Sequence, residues 1–354
     1  MDSLTQIALG ATVQGIGLGR YQGRKSLAYG AILATLPDLD VFIRYTDPVS
    51  QMTLHRGFSH SLLVLPLLAL VLAWAIKKKW PNTHYSFARL YWTLCFTLIT
   101  HPLLDAFTVY GTQLFWPLEK MIGFSPQQWS GVFIVDPLYT VPLLMALSLA
   151  LWVGLNKKAI RWLSMALVWS TVYLAWGTYG QYHHEQRVRA YLTQQGIHVT
   201  RIMAVPMPLN TLVFRVVAQT SQNEYIDAVS GWLDTAPPEY IMEPLGQQWA
   251  AILADNADYQ QLNWFADGWL RVDKIGHALV VTDLRMGVPG YHNFRFVLAQ
   301  QQHGAWRNIL PQRYVQPQHL NTVTGLQLIW QRMWSNQLPL PLARWAQAED
   351  HPQP

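Results

Sequence analysis

Residues 90–107 read LYWTLCFTLITHPLLDAF. The run is almost wholly apolar and, at 1.5 Å of helix per residue, approaches the ~30 Å hydrocarbon depth of a bilayer. It nevertheless carries an imidazole, His101, and a carboxylate, Asp105, four residues apart. That spacing sets both on one helical face, although Pro102 predicts an irregular turn between them. Ionisable groups in such surroundings are costly and usually mark function.

Three further runs of similar character flank it, at 58–76 (FSHSLLVLPLLALVLAWAI), 137–156 (PLYTVPLLMALSLALWVGLN) and 162–182 (WLSMALVWSTVYLAWGTYGQY). Two shorter ones come first, 3–19 and 26–36. Gly10, Gly15, Gly17, Gly19 and Gly30 would let these two helices approach closely, as partial spans or as a hairpin packed on the bundle. Basic residues cluster at Arg20, Arg24 and Lys25, at Lys77, Lys78 and Lys79, and at Lys157, Lys158 and Arg161. The positive-inside rule assigns all three clusters to the cytoplasm. The N-terminus, the loops 37–58 and 105–136, and everything after about 182 then lie on the opposite face.

From about 183 the texture changes. Thr211–Ala218, Ala278–Leu284 and Asn293–Ala299 are short, rich in β-branched and aromatic residues, and bounded by Gly, Pro or Asn, as strands are. Residues 182–195 read as a helix leading into this region. The expected fold is an α-helical membrane bundle of about four to six membrane helices, followed by a smaller extramembrane α+β domain. The division is 1–182, a membrane-embedded helical domain; 183–340, an extracytoplasmic α+β domain; and 341–354, a loose Pro-rich tail.

Composition agrees. Charged residues make up 13% of the 354, against about 25% in soluble domains. There are 17 tryptophans, a residue favoured at membrane interfaces. Residues 1–177 hold 13 of the 25 Lys and Arg but only 7 of the 20 Asp and Glu. This excess sits between apolar runs, so no nucleic-acid partner is expected. The single cysteine, Cys95, excludes an internal disulfide and a Cys-type zinc site. The start has neither a basic n-region nor a small-residue cleavage site, so the first helix is expected to persist in the mature protein.

Acids and histidines of the first half gather in three strings. Leu36-Pro37-Asp38-Leu39-Asp40 presents two carboxylates after a helix stop; His55-Arg56-Gly57-Phe58-Ser59-His60 carries two imidazoles about a glycine; His101-Pro102-Leu103-Leu104-Asp105 carries the helical pair. Each string alone has a plain explanation, a helix cap for the first and an i,i+4 hydrogen bond for the last. Together they offer three histidines and three carboxylates on one membrane face, the donors that suit Zn²⁺, Mn²⁺ or Fe²⁺, one or two ions. Asp2 and Asp136 fit equally as caps or as site residues. His183, His184 and Glu185 read as a solvated helix start.

The start MDSLTQIALGA, then LPDLD, HRGFSHSLL and THPLLDAFTVYGTQLFWP, resemble the bacterial inner-membrane metal-dependent hydrolase family (LexA-regulated hydrolase-like membrane proteins) over roughly residues 1–180. That family is in turn distantly similar to the zinc-dependent phospholipase C and single-strand nuclease group. The resemblance implies that His101 and Asp105 are a ligand pair, that Asp38 or Asp40 bridges or acts as base, and that His55 or His60 is a further ligand. Gln6 stands where many relatives carry a histidine. The soluble enzymes' second His-x-x-x-acid pair has no clear match, Asp136 being the nearest acid.

The expected function is metal-dependent hydrolysis of a phosphoester or lipid-like substrate at the bacterial inner membrane, on its extracytoplasmic side. Asp38, Asp40 and Arg56 are the candidate catalytic residues, with Arg56 clamping an anionic oxygen. Asp38, Asp40, His55, His60, His101 and Asp105 are the candidate metal ligands. Membrane lipids and a small or lipid-like substrate are the expected partners. No nucleophile elbow, P-loop or HExxH string is present, which argues against serine hydrolase, NTPase and common zinc protease chemistry. A transporter or metal-handling protein, or a scaffold with a structural metal, stays open as an alternative.

Overall fold

In a computed structural model, residues 1–81, 84–289, 291–315 and 322–335 are described. The expected tail at 341–354 lies outside them. The chain divides into two compact units: Met1–Arg44 with His55–Trp129 and Ile134–Trp176, and Tyr45–Leu54 with Ser130–Phe133 and the chain from Gly177 onward. The division falls within one helix, and two short excursions of the expected helical domain belong to the second unit.

The first unit is built from α1 (Ser3–Gln22), α2 (Lys25–Thr35), α4 (Val64–Lys79), α5 (Phe87–Ala106), α6 (Pro137–Val153) and the first half of α7 (Lys157–Gln194). Asp2 caps α1 by accepting from the Thr5 N–H, and Asp136 caps α6 by accepting from the Leu138 N–H. Asp136 also accepts from the Tyr173 hydroxyl at 2.9 Å. Both acids therefore take their capping reading. The two early apolar stretches form a tight helical pair. A Cβ built on Gly30 would stand 2.4 Å from the Gly10 carbonyl oxygen, and one on Gly10 would stand 2.3 Å from the Ala34 Cβ. Only glycines allow backbones this near. Leu18 of α1, Leu65, Ala69 and Ala73 of α4, and Leu90, Leu94, Cys95 and Leu98 of α5 fill the core beside them.

Helix α5 runs through Pro102 without a break, so His101 and Asp105 stay one turn apart. Outside the core the unit is apolar too: Leu67, Val71 and Trp74 of α4, Val141 and Met145 of α6, and Met165, Val168 and Val172 of α7 are exposed. Apolar surface on this scale marks contact with lipid or protein. Among the described residues no single helix is long and apolar enough to cross a membrane. The consecutive segments Pro48–His60 and Val64–Lys79 reach that measure only when taken together.

The basic clusters share one end of this unit. Gln22 donates to the Tyr85 hydroxyl, Lys77 donates to the Tyr85 carbonyl, and the Arg24 guanidinium donates to the carbonyls of Leu151 and Trp152. The ends of α1, α4 and α6 are thereby held together. The start of α1, the end of α2, the start of α4 and the end of α5 meet at the other end.

There the loop after α5 supplies a buried acid. Glu119 accepts from the Phe115 N–H at 3.1 Å, while its Oε2 is buried with no hydrogen-bond partner. Burial pushes its pKa up to about 7. An acid with a raised pKa holds more protons folded than unfolded, so stability falls as pH climbs from about 4.5 to about 7. Replacing Glu119 with Gln is expected to raise the thermal midpoint in detergent by roughly 5 °C at pH 8 and by little at pH 5. Equal shifts at both pH values would refute this.

The second unit carries α3 (Pro48–Leu54), which packs on α9 (Ala257–Phe265), and two four-stranded antiparallel sheets. The first has the order β1-β2-β3-β4: Val199–Pro206, Val213–Thr220, Glu224–Gly231 and Glu239–Pro244. The second has the order β10-β9-β6-β5, with β5 Leu270–Ile275, β6 Ala278–Asp283, β9 Arg295–Gln302 and β10 Ala305–Arg313. A ribbon of β7 (Gly287–Val288) and β8 (Tyr291–His292), with α8 (Gln247–Ile252) and α10 (Thr322–Trp334), completes it.

Val188 and Leu192, from the second half of α7, pack with Phe214, Val216 and Ile226 of the first sheet. The helix is thus anchored by a core rather than solvated, which corrects the reading of residues 183–185. His184 is buried, paired with the Ser230 hydroxyl at 2.8 Å and stacked on Phe214; burial pushes its pKa down to about 3. His183 stacks on Trp232, and Glu185 accepts from the Ala204 N–H.

Candidate metal centre

Four ligand atoms converge where the helix ends of the first unit meet. His60 Nε2 lies 3.5 Å from Asp38 Oδ1 and 3.3 Å from Asp105 Oδ2. His101 Nε2 lies 3.3 Å from Asp38 Oδ1 and 3.6 Å from Asp105 Oδ2. All four atoms fall within 4.8 Å of one another. A four-coordinate ion with bonds of about 2.0–2.2 Å has tetrahedral edges of about 3.3–3.6 Å, and the four His–Asp separations match that length.

Three elements deliver the four donors. Pro37 turns the chain at the end of α2 into a 3-10 helix, Pro37–Phe42, whose first turn carries Asp38. His60 closes a short 3-10 turn, Phe58–His60, just before α4. His101 and Asp105 stand one turn apart on α5.

The hydrogen bonds around the imidazoles select their tautomers. His101 Nδ1 lies 2.7 Å from the Ala34 carbonyl oxygen, which only accepts. The Nδ1 must therefore carry the proton, leaving the Nε2 lone pair facing the centre. His60 Nδ1 lies 2.9 Å from Ser59 Oγ, whose own proton goes to Asp40 Oδ2 at 2.8 Å. The same conclusion follows for His60 Nε2. Both rings are thus held as metal-binding histidines are, by a partner on the far nitrogen.

His60 Nε2 and Asp105 Oδ2 are buried and make no hydrogen bond, although the Arg56 guanidinium stands 3.2 Å from the carboxylate oxygen. An imidazole lone pair and a carboxylate facing one another at 3.3 Å are costly unless a cation lies between them. The donor set and the orphaned atoms therefore fit a divalent metal.

Of the six candidate ligands, the structure brings these four together and sets two apart. Asp40 Oδ1 pairs with His55 Nδ1 at 2.9 Å, while Asp40 Oδ2 accepts from the Arg56 N–H and the Ser59 hydroxyl. At three residues per turn, positions two apart on a 3-10 helix face different ways, so the Pro-Asp-x-Asp string does not present its two carboxylates as a pair. Burial opposes ionisation of Asp40, but the His55 contact outweighs it, and its carboxyl is held below the ordinary range.

Arg56 is buried, with its Nε 3.2 Å from Asp105 Oδ2 and its guanidinium over the Tyr110 ring. A guanidinium spent on Asp105 is not presented to a substrate oxygen. The positive φ of the HRGFSHS string also lies at Arg56, at 61°, and not at Gly57. A non-glycine residue in that region stores strain, which the Asp40 and Asp105 contacts hold in place.

Gln6 Nε2 donates to Asp105 Oδ1 at 3.0 Å and to the His101 carbonyl, while the Met1 amino group contacts the same Oδ1. Gln6 therefore orients a ligand at the position where the resemblance expects a histidine. Ser59 and the Ala34 carbonyl were not anticipated. Ser59 carried a faint signal, lying between the two histidines of its string; a backbone carbonyl carries none.

Residues 1–184 match the family model described as YdjM inner membrane protein. The uncharacterized protein YfhP of Bacillus subtilis (strain 168) is 26% identical over 184 residues, which is 49% of this chain and 53% of that protein. The chain thus spans about half the length of this curated relative. No solved structure matches.

Proposed function

The chain belongs to the YdjM inner membrane protein family, and from that premise we propose that its helical unit is a metal-dependent hydrolase acting on a phosphoester. The observation that supports this best is a division of exposure within the centre. His60, His101 and Asp105 have side chains no more than 1% exposed, whereas Asp38 is 29% exposed. Three buried ligands and one accessible carboxylate resemble a two-histidine, one-carboxylate catalytic set with a base beside it.

His60, His101 and Asp105 would hold a divalent ion, which would supply a nucleophile at neutral pH by lowering the pKa of water towards ~7. Asp38 receives the proton as the water oxygen bonds to phosphorus. The phosphorus–oxygen bond to the leaving alcohol breaks, and the proton passes to that oxygen, so one water is consumed. His101 keeps its orientation through Ala34, and His60 through Ser59 and Asp40. Arg56 offsets the charge of Asp105. The three basic clusters at the far end support an extracytoplasmic placement of the centre and of the C-terminal unit.

Zinc- or manganese-loaded protein in detergent is expected to hydrolyse bis(p-nitrophenyl) phosphate and to lose that activity to a chelator. Asp38→Asn should reduce turnover at least 100-fold with the metal retained, the low end for a general base. Full activity in Asp38→Asn would remove the base. Loaded protein inert to mono- and diesters alike would favour a structural metal in a scaffold, since four protein ligands can close a coordination shell.

A further inference from the structure

A cleft of about 240 Å³ opens beside the centre, within the helical unit. Asp38 and Gln6 form its polar end, and Ala34, Leu39, Val41 and Phe42 its apolar wall. Its volume lies below the ~300–1,000 Å³ of pockets that enclose a whole drug-sized ligand, and suits part of a longer molecule. Two further observations bear on the occupant. Gln6 Oε1 is buried with no hydrogen-bond partner, so the polar end is incomplete. The apolar wall continues outward: Leu39, Val41, Phe42 and Ile43 are all exposed, Phe42 at 77%. Four large apolar side chains exposed together, three on the 3-10 turn and Ile43 just after it, are more stable in hydrocarbon than in water.

We propose that this cleft is the binding site for one aliphatic chain of a membrane lipid, entering from the bilayer along Leu39–Phe42 with its polar head towards Asp38. The chain's exposed apolar rim meets lipid because the protein belongs to an inner membrane family. The inference rests on the hydrolase reading only for what happens at the head. It deepens that reading by making the substrate a membrane amphiphile cut near its headgroup.

The test uses the full chain in phosphatidylethanolamine/phosphatidylglycerol bilayers containing a trace of phosphatidylglycerol with a mid-chain diazirine. After irradiation, labelled peptides are mapped by mass spectrometry. Residues 35–43 should carry at least fivefold more label per residue than the outward faces of α4 and α6. Thr35→Trp, which fills the cleft, and Val41→Asp, which charges its mouth, should each remove that excess. An unchanged thermal midpoint would show the fold intact, and Val41, being exposed, keeps the test valid should Thr35→Trp not fold.

Even labelling across the apolar faces, or an excess that survives both substitutions, would overturn the proposal. Metal content is read on the same samples. Label without metal would sink the hydrolase reading and leave the cleft standing; metal without enriched label would do the reverse.

Discussion

Purified wild-type protein is expected to carry close to one equivalent of zinc, manganese or iron per chain by elemental analysis, and His101→Ala less than a tenth of that. The expectation follows from the sharing of ligands. Four atoms, with the histidine–aspartate pairs 3.3–3.6 Å apart and all of them within 4.8 Å, define the centre, and two of them come from consecutive turns of α5. Losing either α5 donor leaves no pair on a rigid element. Asp105→Ala should empty the site as well, but it also strips the partner from a buried Arg56, and a lone buried guanidinium costs about 3–5 kcal/mol. Asp105→Asn is therefore the companion variant, since it keeps the shape and the Gln6 contact.

Asp40→Asn and His55→Ala behave differently. They touch no metal and act through Ser59 and His60, so affinity should fall about 10–100-fold without vanishing. A wild type that holds no metal, and binds none when it is added, would reduce the cluster to ion pairs and hydrogen bonds. The hydrolase proposal would fall with it.

What could be read from the sequence depended on whether the deciding interaction was local. The His101–Asp105 pair was legible because four residues on a helix fix a shared face. The strings Thr211–Ala218, Ala278–Leu284 and Asn293–Ala299, read as strands, lie along β2, β6 and β9, because β-branched runs bounded by turns suit an extended chain. Three long-range outcomes were not legible. Asp38 and Asp40 look alike in LPDLD, yet one faces His101 and the other His55. Whether Arg56 meets a substrate or Asp105 depends on packing between residues about fifty apart in the chain. The histidines at 183–184 read as solvated because nothing local announces the sheet that covers them. The approach of Gly10 to Gly30 was anticipated from composition, as glycine has one steric reason to recur on facing helices.

Replacement of Arg215 by Ala is expected to destabilise the second unit by about 3–5 kcal/mol, the cost of leaving a buried carboxylate without its partner. Arg215 sits in the middle of β2, where alternation alone would place every second side chain in solvent. Yet β2 is covered on both faces, and Arg215 is 1% exposed. Its Nε reaches Asp227 at 2.9 Å and its Nη2 reaches the same carboxylate at 2.6 Å, a two-pronged pair between β2 and β3. Nη1 donates to the Leu284 carbonyl and Nη2 to His292 Nε2, so the same guanidinium ties the first sheet to the turn after β6.

Alanine leaves Asp227 charged, dry and unpaired, and strands the Leu284 carbonyl as well. Because every 1.4 kcal/mol is a factor of ten, the fraction of this unit open to proteolysis should rise by roughly two to three and a half orders of magnitude. The double variant Arg215→Met with Asp227→Leu removes both charges and should recover most of the loss. Recovery should stop short of the wild type, since neither new side chain donates to Leu284. A single alanine variant within 1 kcal/mol of the wild type would mean that water reaches Asp227, and that the guanidinium is not what joins the two sheets.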